Sequence, residues 1–228
     1  MSKYVWIKTQ DGSPTLWNND IGEPFRSAKG AFHESLIVFV KPAIEFAQQL
    51  ILNGKTEINV GEFGLGAGTN WVLFSCLAQH LKIPFKYFAI EQDTESYELA
   101  RLKWSEEKIL IQEKIKEHLG LDAKLNIESL PQPEIFPSLK IFSDEFVKRN
   151  KKCDIWFHDP FGSGVNPEGY TEETLQLCSI NWGKPCIGLS YACNGAFQQA
   201  LKSLGLTVNT RLLNSPPLKR EALEFKTH

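Results

Sequence analysis

The sequence predicts an α/β protein whose mainly parallel sheet is covered by helices on both faces. Three observations lead there. Apolar runs alternate with helical segments along most of the chain, several of these runs end in an acid, and one enters a glycine-rich turn. The turn says most. In Ile58-Asn59-Val60-Gly61-Glu62-Phe63-Gly64-Leu65-Gly66-Ala67-Gly68-Thr69-Asn70 a buried strand meets three alternating glycines and then a helix. Glycine reaches φ > 0 without strain and lets the backbone approach a ligand. A dinucleotide fingerprint starting at Gly64 needs a third glycine at 69, where the chain has Thr69.

The elements follow in order. Gly12-Ser13-Pro14 and Asn18-Asn19-Asp20 mark an N-terminal stretch of turns and short extended pieces. Phe32, Leu36, Val40, Ala43, Ala47 and Leu50 recur at helical spacing, with Pro42 predicted to kink or split the helix. The opening strand covers about 57–64, and Trp71, Phe74, Ala78 and Leu81 share a face of the helix after it. Phe85 to Glu91 is a second buried strand, and Thr94 is placed to cap the next helix, from Tyr97 to Trp104. Residues 105–120 read as an inserted amphipathic helix with a stripe of Ile109, Ile115 and Leu119. After the proline-rich stretch 131–137, Leu139-Lys140-Ile141-Phe142 reads as a short strand and Cys153 to Pro160 as a buried one. A helix near 171–180, a strand at 185–191, a helix at 194–204 and an antiparallel pair near 206–213 and 220–225 complete the series.

Composition excludes several classes. The 228 residues suit one domain with a real core, and 42% hydrophobic with 23% charged residues is ordinary for a globular protein. No apolar run approaches the roughly 18–20 residues of a membrane span, and the first residues lack the apolar segment of a secretory signal. Five cysteines without a C-x-x-C pair read as reduced thiols in a cytoplasmic protein and offer no metal framework. A net charge of −2 gives no global nucleic-acid signature, so RNA contact would rest on local clusters such as Arg149/Lys151/Lys152 or Lys219/Arg220. Each cluster by itself reads as a solvated face.

In open α/β sheets ligands sit at the carboxyl ends of the strands. Glu62, Glu91, Asp144 and Asp159 are therefore expected to converge on one crevice. Glu91 lies 23 residues after Gly68, near the roughly 20-residue interval to a ribose-binding acid. Its two oxygens match two ribose hydroxyls, although a helix-capping or solvent-facing acid fits the same place. Asp144 either reaches an adenine amino group or caps a helix over Glu145–Asn150. In Asp159-Pro160-Phe161-Gly162, proline stiffens the chain just after the acid, and Phe161 offers an aromatic wall. A carboxylate beside an aromatic face suits an amine nucleophile. Asp-Pro is also a common turn starter.

The G-x-G-x-G spacing is similar to the first motif of S-adenosylmethionine-dependent methyltransferases. A wider set of segments resembles one family, the methyltransferase domain of the MnmC type in its monofunctional, oxidase-free form. Thr9-Gln10-Asp11-Gly12-Ser13-Pro14-Thr15-Leu16 matches its opening D-G-S-x-T-L. Glu23-Pro24-Phe25-Arg26-Ser27, Gly30-Ala31-Phe32-His33-Glu34-Ser35 and Val38-Phe39 resemble E-x-Y-H-S, G-A-x-x-E-S and V-F. Glu62 to Asn70 resembles E-x-G-F-G-T-G-L-N, Trp156 to Phe161 resembles W-F-x-D-x-F, Asn166-Pro167 matches N-P, and Lys219-Arg220-Glu221 matches K-R-E.

The resemblance implies a Rossmann-like class I fold, with a seven-stranded, mainly parallel sheet, an antiparallel last strand and an N-terminal extension. The extension would span 1–54 and the methyltransferase core 55–228. It implies methyl transfer from S-adenosylmethionine to 5-aminomethyl(-2-thio)uridine at the tRNA wobble position, after another enzyme has supplied the aminomethyl group. Asp159 would face the amine. Glu62, Gly64, Gly66, Gly68, Asn70, Glu91 and Asp144 would form the cofactor site, and Ser27, Gly30, Glu34, Ser35, Phe161, Lys219 and Arg220 the substrate side. The chain departs from the pattern at Phe25-Arg26 (Tyr-His expected), Val165 (Lys), and Gln198 and Gln199 (Arg). Methylation of a DNA adenine or a small amine, or a non-catalytic cofactor-binding module, are the other readings of the same residues.

Overall fold

The structure, a computed structural model, describes residues 2–213 and 221–227. Its N-terminal strands, β1 (Tyr4–Lys8), β2 (Pro14–Asn18) and β3 (Glu23–Pro24), pair antiparallel in a small sheet. Then come α1 (Ala31–Glu34), a π-helical turn (Ser35–Val40) and α2 (Lys41–Leu52). The core runs β4 (Ile58–Phe63), α3 (Thr69–His80), β5 (Phe85–Ile90), α4 (Glu95–Glu106), α5 (Lys108–Leu119), β6 (Glu134–Phe136), α6 (Leu139–Lys148) and β7 (Cys153–His158). It ends with α7 (Glu172–Ser179), β8 (Trp182–Ser190), α8 (Gly195–Ser203), β9 (Thr207–Leu212) and β10 (Glu221–Lys226).

The seven-stranded sheet has the order β6-β5-β4-β7-β8-β10-β9. β6, β5, β4, β7 and β8 are mutually parallel, and β10 runs antiparallel to both of its neighbours. Chain order reverses between β4 and β7, since the strands after β4 build outward on one side and β7 returns to the other. Alternate side chains divide between two cores, as the strand period requires. Val60, Tyr87, Ala89, Ile155 and Phe157 pack with the first helices, and Phe88, Ile90, Trp156 and Phe225 with α6 to α8.

Several elements differ from the sequence expectation. The segment 139–142 is the first turn of α6, and the strand lies earlier, at Glu134–Phe136. Ser138 accepts from Ile141 N at 3.3 Å and starts the helix. Phe142 and Phe146, four residues apart, then stack with centroids 4.1 Å apart, a helical rather than strand spacing. On α5 the buried stripe is Ile111 and Ile115, while Ile109 is exposed. Asp93, not Thr94, supplies the side-chain oxygen at the start of α4, accepting from Glu95 N at 3.0 Å.

Pro42 neither splits nor sharply breaks its helix. The chain widens into the π turn just before it, and Pro42 occupies the first turn of α2, where a missing N–H costs little. Pro42 leaves the carbonyl of Val38, four residues back, without its helical donor. Arg211 from β9 donates there, through Nη1 to Val38 O (3.1 Å) and Nη2 to Ile37 O (3.2 Å). The resulting rod, Ala31–Leu52, is long and apolar enough by composition to cross a membrane, contrary to the reading of the bare sequence. Here Phe32, Leu36, Phe39, Val40, Ala43 and Ala47 are wholly buried in the protein core.

Candidate active site

The carboxyl ends of β4, β5 and β7 are tied side by side. Gly64 N donates to Ile90 O (3.0 Å), Glu91 N to Phe136 O (3.0 Å) and Asp159 N to Phe63 O (2.9 Å). Gly64, Glu91 and Asp159 therefore open onto one cavity of 1360 Å³ at the point where strand order reverses, and Phe25, Arg26 and Phe161 line it too. That exceeds the roughly 300–1,000 Å³ of a typical small-molecule pocket and leaves room for two ligands.

The glycine turn is left-handed at all three glycines, with φ of +90°, +53° and +72° at Gly64, Gly66 and Gly68. Protein atoms already fill the space a side chain would take. A Cβ would come within 2.6 Å of Asp159 O at Gly64, 2.5 Å of the Phe25 ring at Gly66 and 3.0 Å of the Tyr97 ring at Gly68. Glu91 braces the turn, accepting from Gly66 N (2.9 Å) and Asp93 N (3.0 Å). Burial raises its pKa, with those backbone donors pulling the other way.

Beside the turn lies a buried polar cluster in which Arg26 and Tyr87, which the sequence reading did not single out, join Ser35, Glu62, Asn70 and Asp159, which it did. Asn70 Nδ2 donates to Glu62 Oε1 (2.8 Å) and Asp159 Oδ2 (2.9 Å), its Oδ1 accepts from Ser35, and Tyr87 OH donates to Glu62 Oε2 (2.8 Å). At the centre stands Arg26, only 6% exposed, ion-paired through Nη2 to Asp159 Oδ2. Its Nη1 lies 3.8 Å from Glu34 Oε1, and its guanidinium sits 5.2 Å from the Phe39 ring centre. Burial alone would lower Arg26, but Asp159, Glu34 and Glu62 outweigh it and hold the guanidinium charged. Burial, with Asp159 adding to it, pushes Glu62 up to about 8. Burial also raises Asp159, against the pull of Arg26 and Asn70. Both of these partners engage Oδ2.

A family profile described as S-adenosyl-L-methionine-dependent methyltransferase matches residues 138–225. The match spans 88 of the 228 residues and places the methyltransferase signature in the second half of the chain. No curated protein matches the sequence. The crystal structure of MNMC2 from Aquifex aeolicus superposes with a TM-score of 0.71 at 23% identity, covering 99% of this chain and 70% of that one. A probable spermidine synthase from Corynebacterium glutamicum superposes at 0.54 with 12% identity, covering 98% and 75%. These likenesses establish the shared Rossmann-like fold. The glycine turn fits the S-adenosyl-L-methionine of the matching family: three left-handed glycines stand at a strand end, with a carboxylate at the next strand end on the same cavity.

The structure places the sequence-predicted residues unequally. Gly64, Gly66, Glu91, Asp159, Phe161, Ser27 and Glu34 line the cavity. Glu62 and Asn70 lie behind it, wholly buried, and reach it through Asp159. Gly68 starts α3 against Tyr97. Asp144 corrects the expectation: it is exposed in the middle of α6, away from the cavity lining, because 139–142 is helix and not strand. Gly30 also faces away from the lining. Asp11 Oδ2 accepts from His33 N (3.1 Å), and Ser13 Oγ takes Ala31 N and Phe32 N (both 3.1 Å), so the D-G-S turn caps α1. A Cβ on Gly30 would meet Asp11 Oδ2 at 2.9 Å. Ser35 reaches Asn70 and not the lining. Lys219 and Arg220 lie outside the described residues.

Among the departures, Val165 lines the cavity, Gln198 donates to Cys193 O (3.0 Å) and Gln199 is exposed. The basic cluster at 149–152 is engaged within the molecule. Arg149 pairs with Glu134 and Glu145, Lys151 lies over Phe88, and Lys152 donates to Ile180 O. The one pointer to Arg26 in the sequence was its place in the E-x-Y-H-S segment.

Proposed function

We propose that this methyltransferase acts on the amine of 5-aminomethyl(-2-thio)uridine at the tRNA wobble position, giving the 5-methylaminomethyl product. The observation that carries an amine substrate is Asp159 with Phe161 on the same cavity as the glycine turn and Glu91. The ordered motif matches along the sequence, and the shared fold of MNMC2, support the tRNA nucleoside.

Gly64, Gly66 and Gly68 shape the cofactor's seat, and Glu91 receives its ribose hydroxyls. When bound, S-adenosylmethionine supplies a methyl carbon activated by sulfonium charge, and its sulfur keeps the C–S electron pair as the amine lone pair forms the N–C bond. Asp159 Oδ1 accepts an N–H of the amine, turns the lone pair toward the methyl, and takes the surplus proton after transfer. Phe161 flanks the uracil, and Ser27 and Glu34 hold its edge. Such positioning is worth several kcal/mol when the reacting atoms stay in line. Residues 1–54 close the site over a core of 55–228, in a cytoplasmic protein fed by an upstream enzyme that makes the aminomethyl group. Nucleoside mass analysis of tRNA from a deletion strain tests this: 5-aminomethyluridine species accumulate, and an unchanged profile overturns the assignment.

A further inference from the structure

The buried guanidinium at the heart of the site has no part in the reaction above. An alkylamine with a pKa of about 10 is mostly a cation at neutral pH, and only its free base is nucleophilic. A bare cluster of Glu34, Glu62 and Asp159 would draw in the ammonium form and hold it unreactive. We propose that Arg26 selects the free-base amine, because a fixed internal cation on Asp159 makes the site take up the substrate nitrogen uncharged. The inference rests on the amine substrate proposed above.

The geometry is specific. Arg26 is 6% exposed, lines the cavity, and holds Asp159 Oδ2, so a nitrogen arriving at Oδ1 comes close to a charge of its own sign. A like charge at such range disfavours the ammonium form and lowers its pKa. The groups facing Arg26 are Glu34 from α1, Glu62 from β4, Asp159 beyond β7 and the Phe39 ring from the π turn. Tyr87 and Asn70 reach it through Glu62 and Asp159, and the charge of Asp159 adds to the burial that raises Tyr170. Glu62 titrates near 8, within the range of interest.

The test is the pH dependence of kcat and KM for wild type, R26Q and R26K on tRNA purified from a strain lacking the enzyme, with E62Q measured alongside to separate its limb. In wild type the acid limb of kcat lies at least one unit below the solution pKa of the amine. In R26Q it moves up by about one unit, so kcat at pH 7 falls roughly ten-fold and recovers near pH 9 while KM at pH 7 falls. R26K keeps the wild-type limb. A second readout is binding of the same tRNA to the S-adenosylhomocysteine complex: wild type tightens from pH 6.5 to 9 and R26Q weakens. Should R26Q fail to fold by thermal unfolding, R26M, neutral at every pH, takes its place with the same expected limb. A loss of kcat equal at every pH, or an unmoved limb, overturns the role of Arg26 alone. A folded wild type that binds S-adenosylmethionine but leaves this tRNA unmethylated overturns the substrate assignment, and the role of Arg26 with it.

Discussion

Asp159 and Glu62 sit two bonds of the same network apart, through Asn70, yet they do different things. Asp159 lines the cavity and Glu62 does not. D159N is therefore expected to lower methyl transfer by about 10²–10⁴-fold, the usual worth of a positioned acid–base group. Calorimetry should show cofactor affinity little changed, and equal loss of both would mean that Asp159 supports the turn instead. Glu62 titrates near 8 in the folded protein, above its ordinary 4.5. The folded state then binds more protons than the unfolded state between those values. Its stabilising contribution is complete below about 4.5 and is lost as pH rises through 8. E62Q should accordingly lose less Tm than wild type between pH 5 and 8. An identical slope for the two proteins would show that Glu62 is ionised throughout. The acids at 62, 91 and 159 were legible as strand-end residues. Arg26 was not, since its partners come from α1, β4 and β7, far apart in the chain.

At the scale of elements, the informative case is the rod through Pro42. Periodicity identified its buried face, but the break expected at proline became a π turn closed by Arg211 from the far edge of the sheet. Arg211→Met should leave the two carbonyls without these donors and cost about 2 kcal/mol, a fall in Tm of roughly 4–8 °C. Thermal unfolding measures it, and an unchanged Tm would show that water serves those carbonyls equally well. α6 teaches the complementary lesson. A short apolar run such as Leu139 to Phe142 suits strand or helix alike, and only Ser138 at its start and the Phe142–Phe146 stack decide. That decision carried Asp144 out of the site.

For the whole molecule, the glycine turn lies at the reversal of strand order, and cofactor binding should stabilise the fold directly. At a concentration 100-fold above Kd, S-adenosylhomocysteine adds about 2.7 kcal/mol, or roughly 5–10 °C in Tm. Glu91→Ala should lose most of this shift and D159N should keep it. Equal shifts in all three proteins would place the ribose elsewhere.

The sequence by itself determined the α/β class, the strand-end acids and the cofactor turn, because all are written in local spacing and in the special freedom of glycine. Only the tertiary structure decided what the turn packs against, which acids reach the cavity and which lie behind it. It alone brought Arg26 onto Asp159. Ion pairs among buried groups depend on distances through space, and these follow from how the strands are ordered, which no single stretch of sequence records.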